Sequence, residues 1–77
     1  MYSNLGNALL QQHDYEEAEK MLKQALALSE KRLGPDDPHI AMLLYSLEKA
    51  LKGQSKDGKY EEARSLRHRA QAIEGQA

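Results

Sequence analysis

Residues 13–26 read HDYEEAEKMLKQAL, and residues 58–73 read GKYEEARSLRHRAQAI. Both stretches contain the letters YEEA, beginning at Tyr15 and again at Tyr60, and in both a second alanine follows the first after seven residues. Apolar residues within each stretch recur every three or four positions, which is the spacing of one face of an α-helix. The repetition therefore predicts that one helical unit occurs twice in the chain.

The rest of the chain has the same periodicity. Apolar residues recur at helical spacing in residues 2–9 and 40–51, whereas turn-forming residues concentrate in residues 13–14, 34–38 and 53–58. Val, Phe and Trp, which favour strands, are absent. The sequence therefore predicts an all-α protein with four amphipathic helices.

Residues at the expected helix ends support the division into four helices. Asp14 is expected to cap the second helix, with Glu17 reaching back as the other half of a capping box. Gly34 suits the left-handed turn that ends a helix, and Asp37 followed by Pro38 predicts the start of the third helix.

Small residues and tyrosines predict how two such helices pack. Tyr15 and Tyr60 are expected to close the turn of each helix pair, with the ring inside and two glutamates against the positive helix end. Small side chains allow two helices to approach within about 8 to 10 Å. The residues predicted to permit this approach are Gly6, Ala8, Ala18, Ala25, Ala63 and Ala70.

Composition restricts the classes of function. A chain of 77 residues allows one small domain with little room for a deep catalytic cavity. A formal net charge of -1 gives no bulk attraction to nucleic acid or to an anionic membrane, and no apolar run is long enough to span a bilayer. Cysteine is absent and the N-terminus lacks a signal-peptide pattern, so a cytoplasmic protein is expected.

The polar residues form no pattern typical of catalysis or metal binding. Adjacent glutamates such as Glu16 and Glu17 point about 100° apart on a helix, which suits a solvated first turn better than an acid and base pair. The three histidines lack the i, i+4 spacing of a metal site, and residues 36–37 lack the alternating oxygen ligands of a calcium loop. We expect no enzymatic activity, no cofactor and no metal.

The last predicted helix carries a basic cluster of Arg64, Arg67, His68 and Arg69. Such a cluster can contact phosphates, but no aromatic residues are interleaved with it and acidic residues flank it. We therefore expect no nucleic-acid binding.

The internal repeat has a measurable length. An offset of 42 residues aligns Leu5 with Leu47, and an offset of 45 aligns Tyr15 with Tyr60. The repeated unit is therefore a pair of helices, with three residues inserted in the second inter-helix turn. Such units stack because neither unit buries its apolar face alone.

The first helix pair resembles the tetratricopeptide repeat, whose pattern is W-x2-L-G-x2-Y followed by A-x3-F. The corresponding residues here are Tyr2-x2-Leu5-Gly6-x2-Leu9 and Ala18-x3-Leu22. The interval near 42 residues, with LGPDDPHIA joining the pairs at residues 33–41, is similar to the long subtype found in kinesin light chains and many bacterial scaffold proteins.

The resemblance implies two helix hairpins, residues 1–36 and residues 37–77, stacked as a short right-handed α-solenoid segment. The second hairpin departs from the pattern, because Glu48 stands at the glycine position and Arg67 at the large apolar position. Repeat arrays need a polar terminal helix for solubility, so residues 37–77 are expected to include a C-terminal cap.

The first helix lacks such polar departures. Its apolar outer face predicts a weak homodimer through the N-terminal face, with Tyr2, Leu5 and Leu9 close to the contact.

The resemblance also implies a function, because in that family the first helix of each repeat lines a concave groove that holds peptides or partner segments. We therefore expect a protein-binding scaffold. The alternative is a purely structural role, in which these terminal repeats cap or dimerise a longer repeat protein. The predicted groove residues are Ser3, Asn4, Asn7, Leu10, Gln11, Met42, Tyr45, Ser46, Lys49 and Lys52.

The types of residue in the predicted groove suggest a ligand. Asn4 and Asn7 can hydrogen-bond a peptide backbone, as the matching asparagines of the resembled family do. Lys49 and Lys52 place two ammonium groups on one side of a helix, which favours an acidic peptide with one or two large apolar residues.

Overall fold

The computed structural model describes residues 2–54 and 57–75, with side-chain surroundings given for residue 6, residues 8–54 and residues 58–75. The described residues form four α-helices and no strand, which confirms the all-α prediction. The helices are α1 (Tyr2–Gln11), α2 (Tyr15–Leu33), α3 (Pro38–Gly53) and α4 (Asp57–Gly75). Short turns fold α2 back on α1 and α4 back on α3, and α2 also packs against α3, so the two hairpins stack.

Helix α3 is the centre of the core, because it is buried from two sides. One cluster joins it to α2, and a second joins it to the later part of α4. The first cluster contains Ala18, Leu22, Ala25, Leu43, Leu47, Ala50, Leu51 and Ala63, and the second contains Ile40, Ala41, Leu44, Ala70 and Ile73.

The turn between the hairpins has the predicted end signals. Asp37 caps α3, since its Oδ1 accepts a hydrogen bond of 2.9 Å from the backbone N–H of His39, and Pro38 occupies the first turn. Gly34 ends α2 with a φ of +87°, a region that glycine adopts without strain, and its N–H donates to the carbonyl of Glu30. Both signals are confirmed.

The predicted capping box at the start of α2 is wrong. The Asp14 side chain makes no capping hydrogen bond, and its φ of -91° and ψ of 72° differ from the extended geometry of a side-chain cap. The backbone N–H of Asp14 donates instead to the carbonyl of Leu9, and that of His13 to Leu10. This pair of bonds ends α1 as a Schellman motif with His13 at a φ of 62°. Glu17 lies near Lys20 on the surface.

Close packing occurs at two glycines. A β-carbon on Gly6 would lie 2.8 Å from the Leu22 side chain, so this glycine brings α1 and α2 together. A β-carbon on Gly53 would lie 2.5 Å from the ring of Tyr15, so the start of α2 packs directly on the end of α3. Of the small residues predicted to allow close approach, Ala8 is exposed and does not do so, whereas the others are buried.

The two equivalent tyrosines have different surroundings. Tyr15 lies against its turn, with its hydroxyl 2.7 Å from His13 Nδ1, and its ring covers Gly53 of the second hairpin. Tyr60 is 45% exposed, so the prediction that its ring lies inside is wrong, while residues 55–56 of the turn that it was expected to close lie outside the described residues. The physical reason is that Tyr15 has α3 beside it, whereas no described helix lies in the equivalent place beside Tyr60.

We expect Gly53→Ala to destabilise the fold, because the new methyl group would collide with the Tyr15 ring. Overpacking of this kind costs about 1 to 3 kcal/mol. Gly58→Ala is the matched control, because a β-carbon there meets nothing within 4 Å. Alanine in that helical position should be neutral or stabilising by up to about 1 kcal/mol. Urea unfolding of both variants measures the difference, and equal responses would contradict the contact.

Candidate partner-binding surface

The exposed side of α3 contains half of the predicted groove residues. We call this side the α3 surface, and it consists of Met42, Tyr45, Ser46, Lys49 and Lys52. Met42 is 66% exposed, Lys49 and Lys52 are exposed, and the other two residues are half-buried. The spacing of three to four residues keeps all five on one side of the helix, because the leucines and alanines of α3 occupy the buried sides.

The predicted groove residues of α1 are less fully described. Leu10 is half-buried and packs against the core, and Gln11 is exposed. Ser3, Asn4 and Asn7 lie on the described backbone of α1, but their side chains fall outside the described part of the structure. Because α1 contacts α3 directly, the two helices are neighbours, and a shared groove stays a prediction.

Glu48 links the α3 surface to α4. Its carboxylate is largely buried, and its Oε2 lies 3.1 Å from Nζ of Lys52 and 3.7 Å from a guanidinium nitrogen of Arg67. Neither contact has the geometry of a hydrogen bond to Oε2, so both are ion pairs only. The α3 surface therefore has Arg67 at its border with α4.

A signal for this ion pair is present in the sequence. Gly6 and Leu22 touch in the first hairpin, and the repeat offsets place Glu48 and Arg67 at the equivalent positions of the second. The two departures from the family pattern are therefore one exchange of an apolar contact for an ion pair. Taken one position at a time, neither Glu48 nor Arg67 indicates this contact in the sequence.

Tyr45 is held by the end of α4. Its hydroxyl donates a hydrogen bond of 2.5 Å to Glu74 Oε1, and this bond to a carboxylate raises the pKa of Tyr45. The ring is partly buried against the core cluster of α3 and α4. Tyr45 therefore presents a fixed ring to the α3 surface.

Glu19 is a buried anion that sequence reasoning did not identify. Its carboxylate accepts hydrogen bonds of 2.7 Å from Gln54 Nε2 and 3.0 Å from Lys59 Nζ, and it pairs with Lys23 at 2.8 Å. Burial alone would raise the pKa of this carboxyl group, but the hydrogen bonds from these three partners outweigh burial and lower its pKa to about 2. Since Gln54 follows α3 and Lys59 lies in the first turn of α4, Glu19 ties the end of α3 and the start of α4 to α2.

Further ion pairs join α2 to α4. Lys23 also lies 3.2 Å from Glu62, and Arg69 donates to Glu30 at 2.7 Å. No described Cα atom of α2 comes within 8 Å of one in α4, so these long side chains bridge the gap. Arg69, part of the basic cluster in the sequence, therefore serves the contact between hairpins.

Two hollows lie near this network, on the α2 side of the molecule. The larger, of about 390 Å³, contains Glu19 and its partners, and the smaller, of about 300 Å³, lies at the turn before α2. Neither hollow is lined by a predicted groove residue. Their lining residues are Glu16, Glu19, Lys20, Lys23, Gln54 and Lys59 in the first, and His13, Asp14, Tyr15, Glu16 and Gln54 in the second.

Two other kinds of site were sought in the described residues. No three His, Cys, Asp or Glu side chains in that part of the chain are grouped so that they could hold a metal ion. No described helix combines the length and the apolar character that crossing a membrane requires.

Comparison with known proteins gives one match. The family model of the tetratricopeptide repeat matches residues 1–39, a range that includes α1, α2, the linker and the first two residues of α3. The chain belongs to the tetratricopeptide repeat family. No curated protein and no solved structure gives a significant match. Most of the second hairpin lies beyond the matched residues, and its relation to the first rests on the internal repeat and the four-helix packing.

We expect Glu19→Gln to destabilise the fold by about 1 to 3 kcal/mol, because Lys23 and Lys59 would lose their shared anion. The folded-state pKa is lowered from 4.5 to about 2, so the stabilisation is full above about 4.5 and is lost as the pH falls through 2. The difference in unfolding free energy between wild type and variant should therefore shrink over that interval.

The control for this prediction is Glu17→Gln, whose carboxylate is exposed and lies 3.8 Å from Lys20. It should change stability by less than about 0.5 kcal/mol at neutral pH. Denaturant unfolding at several pH values separates the two variants, and a pH-independent difference for Glu19→Gln would refute the ionic origin of its contribution.

Proposed function

We propose that the chain is an interaction scaffold that holds a partner segment along α1 and the α3 surface. Tetratricopeptide repeats are protein–protein interaction modules, and the family is a non-catalytic repeat scaffold. The proposal adds the location of the binding surface and the chemistry of its ligand.

The exposure of Met42 is the observation that carries the proposal. Helix α3 buries eight of its residues, yet this large apolar side chain is 66% exposed. Methionine adapts its shape to different apolar partners, because its chain is unbranched and its sulfur is polarisable. The half-buried ring of Tyr45 lies one turn further along the same side, so the two residues form an apolar contact area for a ligand side chain.

The charges around this area favour an acidic ligand. Lys49, Lys52 and Arg67 carry three positive charges, and Glu48 compensates one of them. Glu74, at the Tyr45 end, keeps its negative charge while it accepts the hydrogen bond of the tyrosine hydroxyl, so the excess of positive charge lies toward Lys49 and Lys52. An acidic segment with one or two large apolar residues therefore complements the surface.

The α1 side of the groove is proposed on the family resemblance. Asn4 and Asn7 would hydrogen-bond the backbone of an extended segment, while the α3 surface would contact its side chains. Exposed ion pairs contribute little each, so binding by two repeats should be weak, with a Kd of roughly tens of micromolar or above, and should weaken as salt rises.

A structural role is the second candidate, and the ion pair of Glu48 with Arg67 favours it. This pair replaces the apolar contact of Gly6 with Leu22 and keeps the second hairpin polar, as a terminal cap requires. In this role the N-terminal face would carry the weak homodimer or the rest of a longer array. The long-repeat subtype and the cytoplasmic location stay predictions under both roles.

The test of the binding role is a titration of acidic and basic peptide pools, each containing one leucine or phenylalanine per peptide. We expect the acidic pool to bind, and Lys49→Glu or Met42→Ser to weaken binding about three- to tenfold, because each removes a contact of the α3 surface. Fluorescence anisotropy at low and high salt measures the change.

Lys20→Glu is the matched control, because this lysine is exposed on α2 beside the larger hollow and not on the α3 surface. It changes the net charge by the same amount as Lys49→Glu and should leave affinity within about twofold. Preference for the basic pool, or equal loss in Lys20→Glu and Lys49→Glu, would reject the α3 surface and favour the structural role.

A further inference from the structure

The internal repeat shows how the second helix of one hairpin contacts the next hairpin. In α2 this side carries Tyr15 and Glu19, which lie one turn apart, and both contact the following hairpin. The Tyr15 ring covers Gly53, and the Glu19 carboxylate binds Gln54 and Lys59. The contact between hairpins therefore has two parts. The ring of Tyr15 packs over a glycine, and the neighbouring Glu19 binds polar groups of the next hairpin.

The same side of α4 is uncovered in the described structure. The offset of 45 places Tyr60 at the position of Tyr15, Arg64 at that of Glu19, and His68 at that of Lys23. All three are exposed, and neither Arg64 nor His68 forms an ion pair or hydrogen bond with a described residue. We call these three residues the α4 outer surface.

The equivalent surfaces differ in the sign of their charge. Glu19 presents an anion, which the following hairpin meets with an amide and an ammonium group. Arg64 presents a cation at the same position, so a segment that packs in the same manner has to supply a carboxylate. The nearby Arg67 adds a second cation, which Glu48 partly compensates.

We propose that the α4 outer surface docks an acidic helical segment of another protein. The segment packs on α4 as α3 packs on α2: a glycine faces the ring of Tyr60, and a carboxylate about one turn away pairs with Arg64. This contact lies on α4 and is separate from the ligand proposed for the α3 surface.

A second copy of this chain is not the occupant, on grounds of packing. The offset of 42 puts Gln11 of its α1 at the position of Gly53, so a side chain would meet the ring of Tyr60. The offset of 45 puts its Asp14 at the position of Lys59, so a second copy offers Arg64 a carboxylate but offers Tyr60 no bare backbone. A separate acidic helix that contains a glycine supplies both.

The test uses an alanine-rich helical peptide of about 18 residues, carrying glutamates spaced four apart and a central glycine. The comparison peptide has lysine in place of each glutamate. Both are titrated into the isotopically labelled full chain and followed by amide chemical shifts. We expect the glutamate peptide alone to bind, with the largest shifts at Tyr60, Arg64 and His68.

Variants identify the contacts. Arg64→Glu should weaken binding of the glutamate peptide by about tenfold and Arg64→Gln by less, while Tyr60→Ala should weaken it more than Tyr60→Phe. Because these residues are exposed, the fold should persist, which circular dichroism verifies. Arg32→Glu, an equal charge change on an exposed residue in the last turn of α2, is the control and should leave affinity unchanged.

The outcomes separate the two proposals. Shifts confined to the α3 surface, with affinity lost in Lys49→Glu and kept in Arg64→Glu, would overturn the α4 site while supporting the other. Equal binding of the lysine peptide, or no binding, would also overturn it and leave α4 as a polar cap. Shifts of Tyr60 that depend on protein concentration without peptide would show a second copy on this surface and would equally overturn the proposal.

Discussion

The burial of α3 from two sides is the constraint on which the rest of the molecule depends. Leu43, Leu47 and Leu51 face the first hairpin, and Ile40 and Leu44 face the end of α4. Full burial of each such side chain contributes about 1.5 to 3 kcal/mol relative to exposure. Because these contacts use two sides of the helix, only one side is left to solvent, and that side is the α3 surface.

Apolar burial alone does not fix the position of one hairpin against the other, because it has no preferred direction. The direction comes from Glu19, whose carboxylate is bound by groups on both sides of the turn between α3 and α4. Ion pairs from Lys23 and Glu30 extend this connection along α4. A buried anion with three partners is costly to break, since removal of one partner leaves a desolvated charge.

The helices and the linker between hairpins were predictable because their signals are local. Asp37 and Gly34 act on backbone groups a few residues away, and the sequence contains the whole interaction. The capping box at Asp14 was wrong because a competing local structure, the Schellman turn at His13, already uses the backbone N–H that Glu17 would have bound, and Asp14 has a ψ outside the extended range of a side-chain cap.

The site was harder to predict, because its contacts join distant residues. Glu19 meets Gln54 and Lys59 across 35 and 40 positions of the chain, and no pattern in a single helix indicates this. The exposure of Met42 followed from helical periodicity. Tyr60 was harder still. The internal repeat makes it equivalent to Tyr15, but the repeat does not show whether another helix packs against it.

The second hairpin has Glu48 and Arg67 at the positions that Gly6 and Leu22 occupy in the first. This difference decides which lysine of the α3 surface is available to a ligand. Lys52 lies 3.1 Å from the largely buried Glu48, so a ligand carboxylate that draws it away leaves an anion with Arg67 alone, at 3.7 Å. The free energy lost at Glu48 offsets the free energy gained from the new ion pair, because a desolvated carboxylate that loses one partner is strongly destabilised. Lys49 is exposed and pairs with no described residue, so it binds a carboxylate without this cost. An acidic segment on α3 therefore gains more from Lys49 than from Lys52, and Arg67 keeps its place between the α3 surface and α4.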